Sequence, residues 1–482
     1  MIRRMVSVLV CLGSATSPAA SAQRADTLRV GIAEAVSYVL RSSDENKIAL
    51  LNVDAADAAA TAARATGLPQ IRLTGSSQQV LKNARAELVG SVFGQAYTYQ
   101  TTLVGSQTLF QGFRIYSAAR AASRTSSAAR FDAGETRARL AVDVQRSYLN
   151  ALYLAKIAEL QERNLALSTA RLQQVEQLAA AGRTSRYDVL RARVDRSNIE
   201  PLALQARSDQ EIALYDVKRL LDVPMDRPLA LTTALDSAMV VSIVLAATAD
   251  SASDEVRGSV RSAELSLLAK RDGIRVARAD FFPQVSASFN YGYLALPTVN
   301  GFPDRFGATS GVYCIPPSST KVCQNNGFFP DRNFSITLSW ALFDGLRAKG
   351  NVDAALAQEK IAEVTLHQQR ELAALDLSRA RAEFDRSRLA YGARAQNASE
   401  AEEAFQLASL RFSRGLATQL EVSDAQVALL TARSTEARAT YDVFLAAAEL
   451  ARVRGRPIPL PTGGTVPVRS NSGLSSGASS IR

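Results

Sequence analysis

The 482-residue sequence contains one histidine, three cysteines and one tryptophan. A single imidazole, His367, with no ligand-type residues clustered around it, excludes a multi-histidine metal site. A histidine-dependent catalytic triad would have to be built on that one ring, and His367 reads as a surface helix residue. Cys11, Cys314 and Cys323 are too few for a zinc ribbon or an iron–sulfur framework. Neither common glycine-rich phosphate loop is present. Beyond the first 22 residues there is no run of about 18 consecutive apolar residues, so no helical membrane span is expected. These absences point away from an enzyme and from any bound metal or cofactor.

Basic residues outnumber acidic ones, 56 to 46, for a net charge of +10. The excess is dispersed. Arg379, Arg381, Glu383, Asp385 and Arg386 interleave as on a solvated helix face. No basic cluster with interleaved aromatics occurs, so no nucleic-acid partner is expected.

At the N-terminus, Arg3 and Arg4 precede an apolar stretch from Met5 to Leu12, followed by Ala20-Ser21-Ala22. That order predicts a secretory signal peptide over residues 1–22, cleaved before Gln23. Val10 is too large for a lipid-attachment site at Cys11. Export into an oxidising compartment predicts a disulfide between Cys314 and Cys323, across the turn-prone Pro316-Pro317-Ser318-Ser319-Thr320. The tail, 461–482, is rich in Ser and Gly and reads as disordered.

The remainder is a duplication. Leu109-Phe110-Gln111-Gly112-Phe113-Arg114 matches Leu342-Phe343-Asp344-Gly345-Leu346-Arg347 at an offset of 233. Gly182, Tyr187, Asp188, Val189 and Ala192 match Gly415, Leu420, Glu421, Val422 and Ala425 at the same offset, as Pro224 matches Pro457. Pro69-Gln70 matches Pro283-Gln284 at 214, which places a 19-residue insertion between the strands of the second copy. Two repeats follow, 23–230 and 231–460, the second with a longer, disulfide-stapled loop at about 294–332. Each reads helix, strand, loop, strand, long helix, break, helix. The expected helices are about 27–65, 114–180 and 185–221, with Pro201 a kink or break, and about 254–279, 347–413 and 418–453. The long ones would reach about 100 Å. Val144, Tyr148, Ala151, Ala155 and Ala158 form an alanine-rich seam suited to close helix packing.

The expected strands alternate. Val285, Ala287, Phe289, Tyr291 and Tyr293 interleave with Ser286, Ser288, Asn290 and Gly292. Phe334, Ile336, Leu338, Trp340 and Leu342 interleave with Asn333, Ser335, Thr337, Ser339 and Ala341. Ile71, Leu73 and Gly75, and Tyr97, Tyr99, Thr101 and Leu103, repeat this more weakly. Phe281, Phe282 and Phe343 gather at one end, and Tyr291, Tyr293, Phe328 and Phe329 at the other, as in interfacial girdles. In a bilayer only a closed barrel satisfies the backbone. Four strands cannot close, since about eight is the smallest known barrel. The chain must pool strands with copies of itself, and spacing leaves the number open.

Leu68-Pro69-Gln70 and Phe282-Pro283-Gln284, Leu-Phe-x-Gly at 109–112 and 342–345, Gly182 with Tyr187-Asp188-Val189-Leu190, and Gly415 with Glu421-Val422-Ser423-Asp424 come in the order found in one family. The chain resembles the TolC-type outer-membrane efflux proteins over nearly its whole mature length. The resemblance implies an α+β membrane protein in which four transmembrane strands per chain build a homotrimeric 12-stranded barrel among outer-membrane lipids. A 12-helix coiled-coil tunnel would continue it into the periplasm, docked to a periplasmic adaptor and an inner-membrane transporter. The channel itself would do no chemistry and serve as a passive exit duct in efflux or type I secretion. The alternative reading is a non-conducting, periplasm-spanning coiled-coil scaffold.

The family's acidic tunnel mouth maps here onto Asp188, Glu421 and Asp424, after the helix breaks Gly182 and Gly415. Rings of these acids would favour cations and raise carboxylate pKa values. Spacing by itself reads differently: Thr418-x-x-Glu421 is a capping box, and Asp188 follows Thr184 and Ser185 in a first helical turn. Where the family carries a gate-latching tyrosine and arginine, this sequence has Phe412 and Ala417. Arg183, Arg186 or Arg414 is expected to supply the latch charge instead.

Overall fold

The computed structural model describes residues 27–81, 97–234, 237–248, 257–296, 305–306 and 327–456. The expected signal peptide, Cys314, Cys323 and the tail 461–482 lie outside the described residues.

Two long hairpins dominate. Helix α3 (Arg114–Ala180) turns back into α4 (Arg186–Leu220), and α7 (Arg347–Ser413) into α8 (Gln419–Val453). The first members have 67 residues each and the second 35 each, so the repeat offset of 233 holds in three dimensions. A helix of 67 residues is about 100 Å long. Small side chains permit close packing along it: Ala128, Ala141, Ala151 and Ala158 on α3, and Ala439, Ala446, Ala447 and Ala448 on α8, are buried. The expected seam is buried at Val144, Tyr148, Ala151 and Ala158 and half-buried at Ala155.

Shorter helices complete the layer near the sheet, α2 (Asp44–Ala65) against α3, and α6 (Gly258–Arg278) between α3 and α7. The first expected helix, 27–65, is three elements: β1 (Leu28–Val30), α1 (Ile32–Ser42) and α2. Ser43 breaks the run because its ψ of 134° is extended, and Asp44 and Glu45 then start a new helix with favourable first-turn acids. Pro201 does not break α4. It lies on the exposed side, where the carbonyl deprived of a partner can meet water.

At mid-length, β1 pairs in parallel with β4 (Leu229–Leu231), and α5 (Ser237–Thr248) packs on α8. The main core forms here, from Ile32, Val36, Val39, Leu140, Val144, Tyr148, Val443 and Phe444. Tyr148, fully buried, donates its hydroxyl to the Val30 carbonyl at 2.8 Å.

The sheet is β2 (Gln70–Gln79), β3 (Tyr97–Gln111), β5 (Gln284–Ala295) and β7 (Gly327–Ser339), antiparallel in that spatial order. A two-residue strand, β6 (Arg305–Phe306), runs parallel to β7 at Gly327 and Phe328 only. Both strand-to-helix turns use the same backbone device, left-handed pairs Gly112-Phe113 and Gly345-Leu346, with φ from 55° to 70°.

Ion pairs fasten the helices below the sheet. Asp272 of α6 is completely buried and meets Arg120 and Arg124 of α3 and its own neighbour Arg275 at 3.1, 2.6 and 3.0 Å. Arg114 pairs with Asp280. Further down, Glu135 of α3 joins Arg257, at the start of α6, and Arg452 of α8, while Arg257 also reaches Asp376 of α7 at 2.6 Å. One carboxylate buried among several guanidinium groups is costly to break, because the unpaired charge would stay desolvated.

Candidate functional site

The sheet has two chemically distinct faces. On one, Leu103, Tyr291, Phe289, Phe334, Ile336 and Leu338 lie in register across β3, β5 and β7, continued by Leu73 and Ile71 on β2. These apolar side chains are largely exposed, Phe334 at 65% and Leu338 at 67%. On the other face, hydroxyls and amides pair across strands: Ser288 with Ser335 and Asn290 with Asn333, both at 2.7 Å. Period-two alternation, apolar outside and polar inside, is the pattern of a barrel wall between lipid and water.

Aromatic residues mark the ends of the apolar face. Trp340 donates its indole N–H to the Phe281 carbonyl at 3.1 Å, beside exposed Phe282 and Phe343. At the other end Tyr291 meets Tyr293 edge to face at 6.3 Å, and Tyr97 stacks on Tyr99. Phe328, expected in that second girdle, is instead buried (3% exposed). Gly292 has a steric reason: a Cβ there would lie 2.4 Å from the Thr101 carbonyl oxygen. His367 is exposed on α7, with Nδ1 3.7 Å from Glu371.

At the opposite end, about 100 Å from the sheet, α3 and α7 finish in identical motifs. Gly182 and Gly415 take φ of 69° and 74°, and the following N–H groups close back: Arg183 to the Leu178 carbonyl at 2.9 Å, Leu416 to the Arg411 carbonyl at 2.8 Å. Only glycine adopts this left-handed turn without Cβ strain.

The next helices begin with reciprocal caps. Ser185 accepts from the Asp188 N–H, and Asp188 Oδ2 accepts from the Ser185 N–H and from the hydroxyls of Ser185 (2.6 Å) and Thr184 (2.9 Å). The Ser185 hydroxyl is the largest of the influences that hold the Asp188 carboxyl below its ordinary range. Within one chain, then, its pKa is shifted down, against the upward shift expected for a ring of acids, because three donors favour the ionised form. Thr418 and Glu421 form the matching box, with Glu421 Oε1 accepting from the Thr418 N–H at 3.2 Å.

Arg183, Arg186 and Arg414, the expected latches, are exposed and reach no carboxylate among the described residues. The arginine that does so is Arg411, one turn before the break. Its Nη1 lies 3.8 Å from Glu421 Oε2, and its Nη2 donates to the Leu416 carbonyl. The signal was in the sequence, an arginine and a glutamate flanking Gly415, but the repeat hid it: Leu178 stands at the equivalent place in the first copy. Asp424 is exposed on the same side of α8 as Glu421, one turn on; no hydrogen bond or ion pair among the described residues joins Asp188 to either. Deeper in the bundle, Gln426 of α8 donates to Asn164 Oδ1 of α3 at 2.5 Å, a buried polar link between the two hairpins.

The family described as outer membrane efflux protein matches residues 40–222 and 253–456. The chain belongs to that family. No curated protein matches it in sequence. Among solved structures, CusC, described for its transmembrane channel formation, is 18% identical with a TM-score of 0.70, covering 88% of this chain and 92% of its own. The outer membrane protein VceC of Vibrio cholerae is 17% identical with a TM-score of 0.69, covering 89% and 97%. The CmeC outer membrane channel of Campylobacter jejuni is 14% identical with a TM-score of 0.70, covering 88% and 85%. The fold is therefore that of the outer-membrane efflux channels, an antiparallel barrel wall continued by a helical tunnel. As a family member the chain is an outer-membrane protein that reaches into the periplasm, a transport duct rather than an enzyme.

Proposed function

We propose that three copies of this chain close one 12-stranded barrel and one helical tunnel, forming the exit duct of a tripartite efflux or type I secretion system. The observation that carries this reading is the pair of open edges. β2 has no partner on its outer side among the described residues, and β7 has one only at Gly327–Phe328. A sheet with an apolar face and two bare edges leaves N–H and C=O groups that lipid cannot satisfy. The helical layer ends likewise: Ile48 and Leu51 on α2 and Ile361, Val364 and Leu389 on α7 are exposed apolar side chains. Pairing edge to edge with identical subunits covers both at once. The two matched halves support repeats at 23–230 and 231–460.

At the tip, Asp188, Glu421 and Asp424 are the gate and selectivity acids, with Gly182 and Gly415 as turning points. Arg411 restrains Glu421 in the closed state. Docking of a periplasmic adaptor, with an inner-membrane transporter supplying energy, releases that restraint.

The test is native mass spectrometry and planar-bilayer recording of the mature chain in detergent. Trimers with discrete conductance are expected. A monomer soluble without detergent would end the reading, and a trimer that never conducts would favour the scaffold.

A further inference from the structure

The polar face of the sheet is almost free of charge. Its side chains in β2, β3, β5 and β7 are Ser, Thr, Asn and Gln with a few apolar residues, and two of those described are charged, Arg72 and Asp331. Arg72 is the third residue of β2, near the helices. Its row across the sheet is Val104, Asn290 and Asn333. The two asparagines spend their amides on each other, and Val104 offers nothing polar. Arg72 is exposed and forms no ion pair with any described residue. Asp331, opposite Gly292, lies two residues along β7 from Asn333 of that row and three strands across from Arg72, roughly 16 Å away in the sheet. The acid therefore makes no direct pair with Arg72 and lies beyond the screening length of about 10 Å at 0.1 M salt.

We propose that Arg72 is the specificity-determining residue of the barrel: three copies ring the base of its lumen and favour anions there. This rests on the trimeric-channel reading above. An arginine stays protonated across the physiological pH range, so the ring is a fixed charge. A low-dielectric wall around a water-filled bore focuses its field, and the surrounding hydroxyls and amides add dipoles without opposing charge. The guanidinium fork also fits carboxylate and phosphate oxygens in pairs. The duct then has two filters in series: acids at the helical tip that admit cations, and a basic ring at the barrel base that holds small organic anions. Solutes carrying both charges, or one of each escorted by a counter-ion, pass with the least penalty.

The experiment is single-channel recording of the full mature chain in a potassium chloride gradient, comparing wild type with Arg72→Gln and Arg72→Lys. Arg72→Gln should raise the potassium-over-chloride permeability ratio about two- to threefold near 0.1 M salt, and less at 1 M, where the screening length drops to about 3 Å. Arg72→Lys should keep the wild-type ratio. Citrate added on the barrel side should block wild-type current and leave Arg72→Gln current unblocked. Heat-modifiable trimer migration confirms that each variant has assembled. If conducting Arg72→Gln channels keep both the wild-type ratio and the citrate block, the basic ring is refuted and the channel stands. If wild-type trimers carry no current, the channel reading falls and this proposal with it.

Discussion

The helices next to the sheet and the helices at the far tip are held by different kinds of interaction. Below the sheet, one fully buried carboxylate, Asp272, is enclosed by three arginines, and Glu135 ties α3, α6 and α8 together. At the tip, the turns rest on glycine geometry, reciprocal caps and one long ion pair, all exposed to solvent. Desolvated charge networks resist rearrangement, because any intermediate leaves an ion unpaired in low dielectric. Solvent-exposed caps and pairs open at little cost. The molecule thus has a stiff end and a soft end, and the soft end is where the proposed gate would move. The two tips differ as well. Asp188 is locked by donors of its own turn, whereas Glu421 divides its oxygens between Thr418 and Arg411. The second hairpin is therefore the one whose cap shares its acid with an arginine, the contact proposed above as the latch.

This contrast can be tested by breaking it. The largest effect should come from Asp272→Asn, which leaves three arginines without their acid; a loss of about 3 kcal/mol is expected in thermal or denaturant unfolding of the detergent-purified protein. Gly415→Ala should cost about 1 kcal/mol, since alanine is strained at a φ of 74°; Gly182→Ala should match it, and unequal losses would show that the turns are not equivalent. Thr418→Ala should cost up to about 1 kcal/mol and Ser185→Ala somewhat less, because Thr184 still holds Asp188. Hydrogen exchange at the two tips reads the difference.

Arg411→Ala should barely change stability, as an exposed pair is worth about 0–1 kcal/mol. It should nonetheless raise the open probability in planar bilayers, an effect that Arg414→Ala should lack. Replacing Glu421 and Asp424 together by alanine should lower cation selectivity, with a small loss of stability from the broken capping box. The smallest effect concerns pH. Asp188 is ionised more readily in the folded chain than in the unfolded one. Its contribution is therefore present at neutral pH and fades as pH falls below about 4. Protection of the first tip, measured against the intrinsic exchange rate at each pH, should fall there, and unchanged protection at pH 3 would show that the cap does not depend on the charge.

Much of the architecture was legible because it is periodic. A hydrophobic seam kept over 67 residues specifies a long helix whatever surrounds it, and α3 and α7 end where Gly182 and Gly415 require them to. Strict alternation at 285–293 and 333–342 likewise marked two faces of a sheet, although the last strand folds over Gly327–Ser339, starting earlier and ending before Trp340. The elements that escaped are short and lack a period of their own. β1 and β4 have three residues each and exist because they pair with one another over 200 positions apart in sequence. α5 is apolar nearly all round, so no face announces its partner. The weak alternation of β2 did mark a strand, but its length depends on the register with β3.

The candidate site divides in the same way. The capping box at Thr418–Glu421 is local, its partners within four residues, and the sequence alone specified it; at the first tip it marked Asp188 as a first-turn acid, and the structure completes the matching box with Ser185. The pairing of Arg411 with Glu421 needs the chain to reverse at Gly415 so that residues ten apart face each other, and the buried Gln426–Asn164 bond needs two hairpins to pack. The position of Arg72 on the polar wall follows from period two, but its isolation follows from how four strands register. By itself the sequence determined the long helices, their glycine stops, their caps and the two-faced strands, features whose energy lies within a few turns, but not the break at Ser43 or the continuity of α4 through Pro201. Only the tertiary structure decided which arginine meets which acid and which charges remain unpaired, because those energies depend on distances between segments that the chain must first fold to bring together.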